Sequence, residues 1–142
     1  MNAPPPWAAS GGQQSHPIAQ NGDVVRARQL VRTLAQQSKL SLVDQTKLIT
    51  AASELARNTM VYGGGGELQA GLVQREDRLG VAAVFHDSGP GIPDVDLALT
   101  DGWTSGGGLG LGLSGARRLV DEFFLDTEPG RGTTVTIIKW AR

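Results

Sequence analysis

Asp87-Ser88-Gly89-Pro90-Gly91-Ile92 decides how this chain is read, together with the glycine run that follows it, Gly106-Gly107-Gly108-Leu109-Gly110-Leu111-Gly112-Leu113. Leu79 to His86, just before the first stretch, is apolar and β-branched enough to be a buried strand. A strand that runs into Asp-x-Gly-x-Gly sets a carboxylate at the edge of its sheet and follows it with a turn open to close approach. Glycine there permits positive φ and carries no Cβ to block a ligand, while Pro90 stiffens the turn. The second run leads into a predicted helix, Gly112 to Phe123, whose free N–H groups form an anion site. A carboxylate to read a polar edge and amides to hold phosphate together suit a nucleotide.

Outward from these stretches, 142 residues suffice for one domain with a substantial core. A net charge of -1 argues against a general nucleic-acid binder, which needs a basic face. The absence of cysteine excludes disulfides, thiolate zinc sites and cysteine nucleophiles. No apolar run has the length of a membrane span. Met1-Asn2-Ala3-Pro4-Pro5-Pro6 lacks the basic and apolar regions of a signal peptide, so a cytoplasmic location is expected.

Residues 1–15 are rich in Pro, Ala, Gly, Gln and Ser and read as a flexible tail with Trp7 as its apolar anchor; residues 16–142 read as the folded domain. Ile18 marks a short edge strand, demoted by Pro17. Asp23 is placed as a helix cap, and Val24, Ala27, Val31 and Leu34 recur at helical spacing to about Ser38. A second helix is predicted from Leu42 to Tyr62, with Leu48, Ala52, Leu55 and Thr59 on one face, ended by Gly63-Gly64-Gly65-Gly66. Strands follow at Glu67–Val73, Leu79–His86, Phe124–Thr127 and Thr133–Trp140, with a helical turn from Pro93 to Leu99. Helices first and hairpin-like pairs after predict an α+β fold: a mixed, mainly antiparallel sheet with helices on one face.

The second predicted helix carries Glu54-Leu55-Ala56-Arg57-Asn58. Glu54 and Asn58, four apart, stack on one helical face roughly 5–6 Å apart at Cβ. An amide oxygen beside a carboxylate suits a hard cation held against phosphates, and the carboxylate can instead orient or deprotonate an attacking hydroxyl.

These three stretches, in this order, resemble the N, G1 and G2 boxes of the GHKL ATPases (Bergerat fold), which include histidine kinases, type II topoisomerases, Hsp90 and anti-sigma-factor kinases. Within that superfamily the chain is most similar to the RsbT-type serine/threonine switch kinases of the bacterial stressosome. Asp23-Val24-Val25-Arg26-Ala27-Arg28-Gln29, the stretch from Asp101 to Leu109 with an extra Gly108, Asp121-Glu122-Phe123 and Lys139-Trp140 carry that similarity, which spans Asp23 to Arg142.

The resemblance implies ATP and Mg²⁺ as cofactors. It implies that Asn58 coordinates the metal, and that Glu54 is the general base or the residue that orients the acceptor hydroxyl. Asp87 would accept from the adenine amino group, with Gly89 and Gly91 admitting base and ribose. Backbone at Gly108, Leu109, Gly110, Leu111 and Gly112 would cover the phosphates, and Thr134, in preference to Thr133, would support the adenine. Since Asp101 to Gly108, a stretch of turn composition that reads as a lid, has no lysine, positive charge for the phosphates falls to Mg²⁺, helix amides or an arginine such as Arg57 or Arg117. The implied partners are STAS-domain proteins of the RsbS or RsbR kind, phosphorylated on serine or threonine, and a PP2C-type phosphatase of the RsbU kind or another output module. No nucleic acid and no membrane is implied. An ATP-gated binding module or anti-sigma factor without kinase turnover is the alternative, and retention of Glu54 favours the enzyme. Gly110 to Gly115 also satisfies G-x-G-x-x-G, but no strand precedes it as a dinucleotide fold needs. No Gly-Lys-Ser/Thr follows any glycine run, which excludes a P-loop.

Overall fold

The strand that leads into Asp87 is the middle one of five. In the computed structural model, which describes residues 13–100 and 112–142, the sheet order is β1-β2-β3-β5-β4. The strands are β1 (Gln14–Ile18), β2 (Gly66–Arg75), β3 (Arg78–Asp87), β4 (Glu122–Glu128) and β5 (Gly132–Trp140). All four pairings are antiparallel, so among the described residues the sheet uses none of the parallel component the sequence allowed for. β1 takes in Gln14 and Ser15, which composition assigned to the tail; residues 1–12, Trp7 among them, lie outside the described residues. β1 pairs with β2 alone, and at such an edge Pro17 removes no needed ladder bond.

Alternation along β3 gives the sheet two unlike faces. Val81, Ala83 and Phe85 join one buried cluster with Leu68 and Ala70 of β2 and Val135 and Ile137 of β5. Two helices close that face: α1 (Asn21–Gln37) through Ala27, Val31 and Leu34, and α2 (Leu42–Val61) through Leu48, Ala52 and Leu55. Ala82 and Ile138 point the other way, into a smaller cluster with Val73 and Trp140. Arg75 and Arg78 stack over the Trp140 ring at 4.7 and 5.5 Å, with the indole N–H donating to Glu122.

Two local expectations are corrected. Asp23 does not cap α1: Gln20 is the cap, and Asp23, three residues on, accepts from the Ala19 and Gln20 N–H groups at 2.9 and 3.1 Å. The helix expected over Gly112–Phe123 ends early, as α4 (Gly112–Arg118). Asp121 breaks it by joining β5 instead, its N–H donating to the Ile138 carbonyl (3.0 Å) and its carboxylate accepting from the Trp140 N–H (2.7 Å). Phe123 then pairs in β4 opposite Ile137. The helical turn foreseen after Pro93 is α3 (Val95–Ala98), capped by Asp94. Among the described residues no helix is long and apolar enough to cross a membrane.

Candidate functional site

β3 delivers Asp87 to the rim of the sheet, in register between Gly66 of β2 and Thr133 of β5. Its side chain points to the helix-covered face, with 8% of the residue exposed, and Oδ1 accepts the Gly89 N–H at 2.9 Å. The end of α2 packs directly on this carboxylate, and a Cβ at Gly63 would land on it. Gly89 in turn lies against the Gly63 backbone, where an added Cβ would sit 2.6 Å from the carbonyl oxygen. Gly91, at φ 77°, lies against the Glu128 carbonyl. Both glycines of the turn are thus required by chain packing on chain, independently of the close approach of a ligand expected of them.

Asp87 forms one end of a pocket walled by Leu55, Phe85, Ile92, Leu113 and Val135, with Asn58, Thr59, Tyr62, Gly112 and Thr133 completing it. An apolar slot with a carboxylate and hydroxyls at its end holds a flat heterocycle that offers N–H groups at one edge. The slot encloses about 30 Å³, room for water rather than a purine.

The threonine that reaches this pocket is Thr133, where Thr134 was expected. Strand alternation decides between them. Thr133 stands opposite Asp87 on the same face, whereas Thr134 stands opposite His86 on the far face, its hydroxyl 2.7 Å from His86 Nδ1. Thr133 Oγ1 lies 2.9 Å from Thr127 Oγ1, which accepts the Ile92 N–H (2.9 Å) and lies 3.2 Å from the Gly132 carbonyl. When Thr127 donates to Gly132, Thr133 donates to Thr127 and offers its lone pairs to the pocket. When Thr127 donates to Thr133, the Thr133 proton is available instead. The hydroxyl pair therefore serves a ligand donor or acceptor by one rotation.

α2 supplies the opposite wall. Leu55, Thr59 and Tyr62, spaced four and three apart, fall on one helical stripe toward the slot, and Asn58 flanks it. Glu54 lies a turn before Asn58, buried to 8% residue exposure and beyond the slot's lining, with Arg57 Nη1 at 3.9 Å from its Oε1. Asn58 and Glu54 are thus adjacent but differently placed, the first facing the pocket and the second next to it. Gly112, at φ 68°, opens α4 and lines the pocket, whereas Gly108, Leu109, Gly110 and Leu111 lie outside the described residues. Arg117 is exposed in the last turn of α4, away from the end that carries Gly112. Among the described residues no three His, Asp or Glu side chains gather to hold a metal.

Sequence reasoning passed over the hydrophobic lining. Phe85 and Val135 were readable two residues from Asp87 and Thr133, since side chains two apart on a strand share a face. Leu113 and Tyr62 were readable from helical spacing, but the contact of Gly63 with Asp87 joins segments 24 residues apart in the chain (87 minus 63) and leaves no local signal.

The family of histidine kinase-, DNA gyrase B-, and HSP90-like ATPases matches residues 43–141. The serine/threonine-protein kinase RsbT of Bacillus subtilis (strain 168) is 44% identical over 120 residues, covering 84% of this chain and 90% of that protein. The anti-sigma F factor of Bacillus licheniformis is 28% identical over 119 residues, 80% of this chain and 81% of that one. Among solved structures, the RsbU and RsbW domains of a Mycobacterium tuberculosis protein superpose with a TM-score of 0.61 at 17% identity, over 92% of this chain. The chain spans about a third of that structure's length, 33%.

Proposed function

This chain belongs to the histidine kinase-, DNA gyrase B-, and HSP90-like ATPases, and from that premise we propose that it is an ATP-dependent protein serine/threonine kinase of the partner-switching type, acting on STAS-domain proteins. The observation that carries the reading is the placement of Asp87 and Thr133 at the end of an apolar slot, with Asn58 on its wall and Glu54 one turn away. Asp87 accepts from the exocyclic amine of adenine, and the Thr133 hydroxyl meets a neighbouring ring nitrogen. Gly112, on the same pocket, lies toward the phosphates.

The donor set fits Mg²⁺ in the way that ion is usually held, by few protein oxygens together with phosphates and water. Asn58 would hold the ion by its amide oxygen, and the chemistry the ion would supply there is neutralisation of charge on the phosphates. The remaining chemistry falls to Glu54. An acceptor serine or threonine oxygen forms a bond to the γ-phosphorus, the bond from that phosphorus to the bridging oxygen breaks, and ADP leaves. The hydroxyl proton passes to the Glu54 carboxylate, or is held by it in line for the attack. Binding of the phosphorylated STAS protein is weakened, and the freed kinase engages a PP2C-type phosphatase or another output module.

A second reading, an ATP-gated binding module of the anti-sigma kind, is favoured by the similarity to the anti-sigma F factor. Pull-downs separate the two. The kinase reading expects retention of a STAS-domain protein and its release, newly phosphorylated, when Mg²⁺ and ATP are added. Retention of a sigma factor with no STAS protein recovered would establish the second reading instead.

A further inference from the structure

Glu54 poses a problem of orientation. Its side chain is only 10% exposed, so little solvent reaches the carboxylate and a protein partner is needed to aim it. Among the described residues its one ion-pair partner is Arg57, three residues on and itself 52% exposed. At 3.9 Å the pair lies beyond hydrogen-bond reach, a contact that biases the carboxylate without clamping it.

The side from which Arg57 approaches matters as much as the distance. At about 100° per residue, the stripe of Leu55, Thr59 and Tyr62 faces the slot, Asn58 lies about 70° from it, Glu54 about 110° and Arg57 about 170°. Arg57 therefore reaches Oε1 of Glu54 from the side away from the slot. Around the helix Glu54 thus lies between Arg57 and Asn58, with Arg57 on the side away from the slot.

We infer that Arg57 is a positioning residue, whose guanidinium holds one oxygen of the Glu54 carboxylate so that the other meets the acceptor hydroxyl. This rests on the kinase reading above and deepens it. It also distinguishes between the two arginines that sequence offered for phosphate charge. Arg117 sits in the final turn of α4, and Arg57 serves the carboxylate rather than the phosphates.

The test is a double-mutant cycle of Arg57→Ala and Glu54→Gln, read as phosphotransfer kcat and as ATP Kd by calorimetry, with Arg57→Lys as the conservative variant. The expected result is a loss of about tenfold or more in kcat for Arg57→Ala. ATP Kd should stay within about twofold, Arg57→Lys should recover part of the rate, and Arg57→Ala should have no further effect in the Glu54→Gln background. A weakened ATP Kd would make Arg57 a phosphate ligand and overturn the inference. So would losses that multiply in the double variant, or a rate for Arg57→Ala equal to wild type. Wild-type protein that transfers no phosphate would overturn the kinase reading itself, a result distinct from each of these.

Discussion

Thr133 and Thr134 are neighbours in sequence, yet they are divided by the thickness of the sheet. Their types are identical and their flanks nearly so, and only the register against Asp87 and His86 tells them apart. That register was legible in principle, because a strand that presents Asp87 to the helices must be met by a β5 residue on the same side. Thr133→Val should weaken ATP binding by about 1 kcal/mol, roughly fivefold in Kd, through loss of one hydrogen bond. Thr134→Val should leave it unchanged, and isothermal titration of both variants checks the pair. Asp23 offers a pH-dependent case at the same scale. The hydrogen bond from Arg26, followed by that from the Ala19 N–H, holds its carboxyl down from 3.8 to about 2. A depressed carboxyl contributes stability that is fully present above its unfolded value and lost as pH falls through the folded one. Melts taken between pH 5 and pH 2 should therefore lose this contribution below about pH 4, and Asp23→Asn should flatten that part of the curve. An unchanged slope in the variant would mean that Asp23 contributes nothing.

At the scale of elements, α2 and the β2–β3 hairpin follow from local pattern, and α4 with β4 does not. Leu113, Ala116, Val120 and Phe123 are spaced like a helical stripe, so periodicity carries the helix five residues too far, to 123 instead of 118. What ends it is non-local: the Asp121 side chain and backbone bond to β5, nearly twenty residues on, and Phe123 is worth more in the sheet opposite Ile137. The junction of α2 with β3 is likewise made in three dimensions. Gly63 looks in sequence like a helix terminator, but in the fold its missing side chain makes room for the Asp87 carboxylate. Gly63→Ala should displace that carboxylate at a cost of about 1–3 kcal/mol, the usual range for overpacking. It should lower ATP affinity more than an alanine at Gly64, where an added Cβ meets nothing and the cost is only the backbone strain of a φ of 77°. Equal effects at the two positions would contradict the contact.

Across the whole molecule, the helix layer is tied to the sheet at the end remote from the pocket as well as beside it. Lys139, 5% exposed on β5, has its Nζ 3.6 Å from Asp44 of α2 and 3.6 Å from Asp121 after α4, and Arg142 reaches the same Asp121 carboxylate at 2.6 Å. The elements that frame the slot, α2 and α4, are thereby referred to a common strand. Removing one member of such an enclosed set leaves uncompensated charge, so Lys139→Ala should destabilise the domain by about 3 kcal/mol in urea unfolding. A loss below about 1 kcal/mol, the level of an exposed pair, would show that the cluster is solvated. The family's three boxes were legible because each is a run of adjacent residues. Of their described residues, Leu55, Asn58, Asp87, Ile92, Gly112 and Leu113 meet at one pocket, beside contacts of Gly63 and Thr133 whose partners lie far along the chain.

The most direct measurement is phosphotransfer from γ-labelled ATP, with Mg²⁺, to STAS-domain proteins of the organism that makes this chain, comparing wild type with Glu54→Ala and Asn58→Ala. Label on serine or threonine of the STAS protein, lost in both variants while their melting profiles persist, is the predicted result. Tight ATP binding with no transfer from wild type to any STAS protein would contradict it and leave a nucleotide-gated binding module.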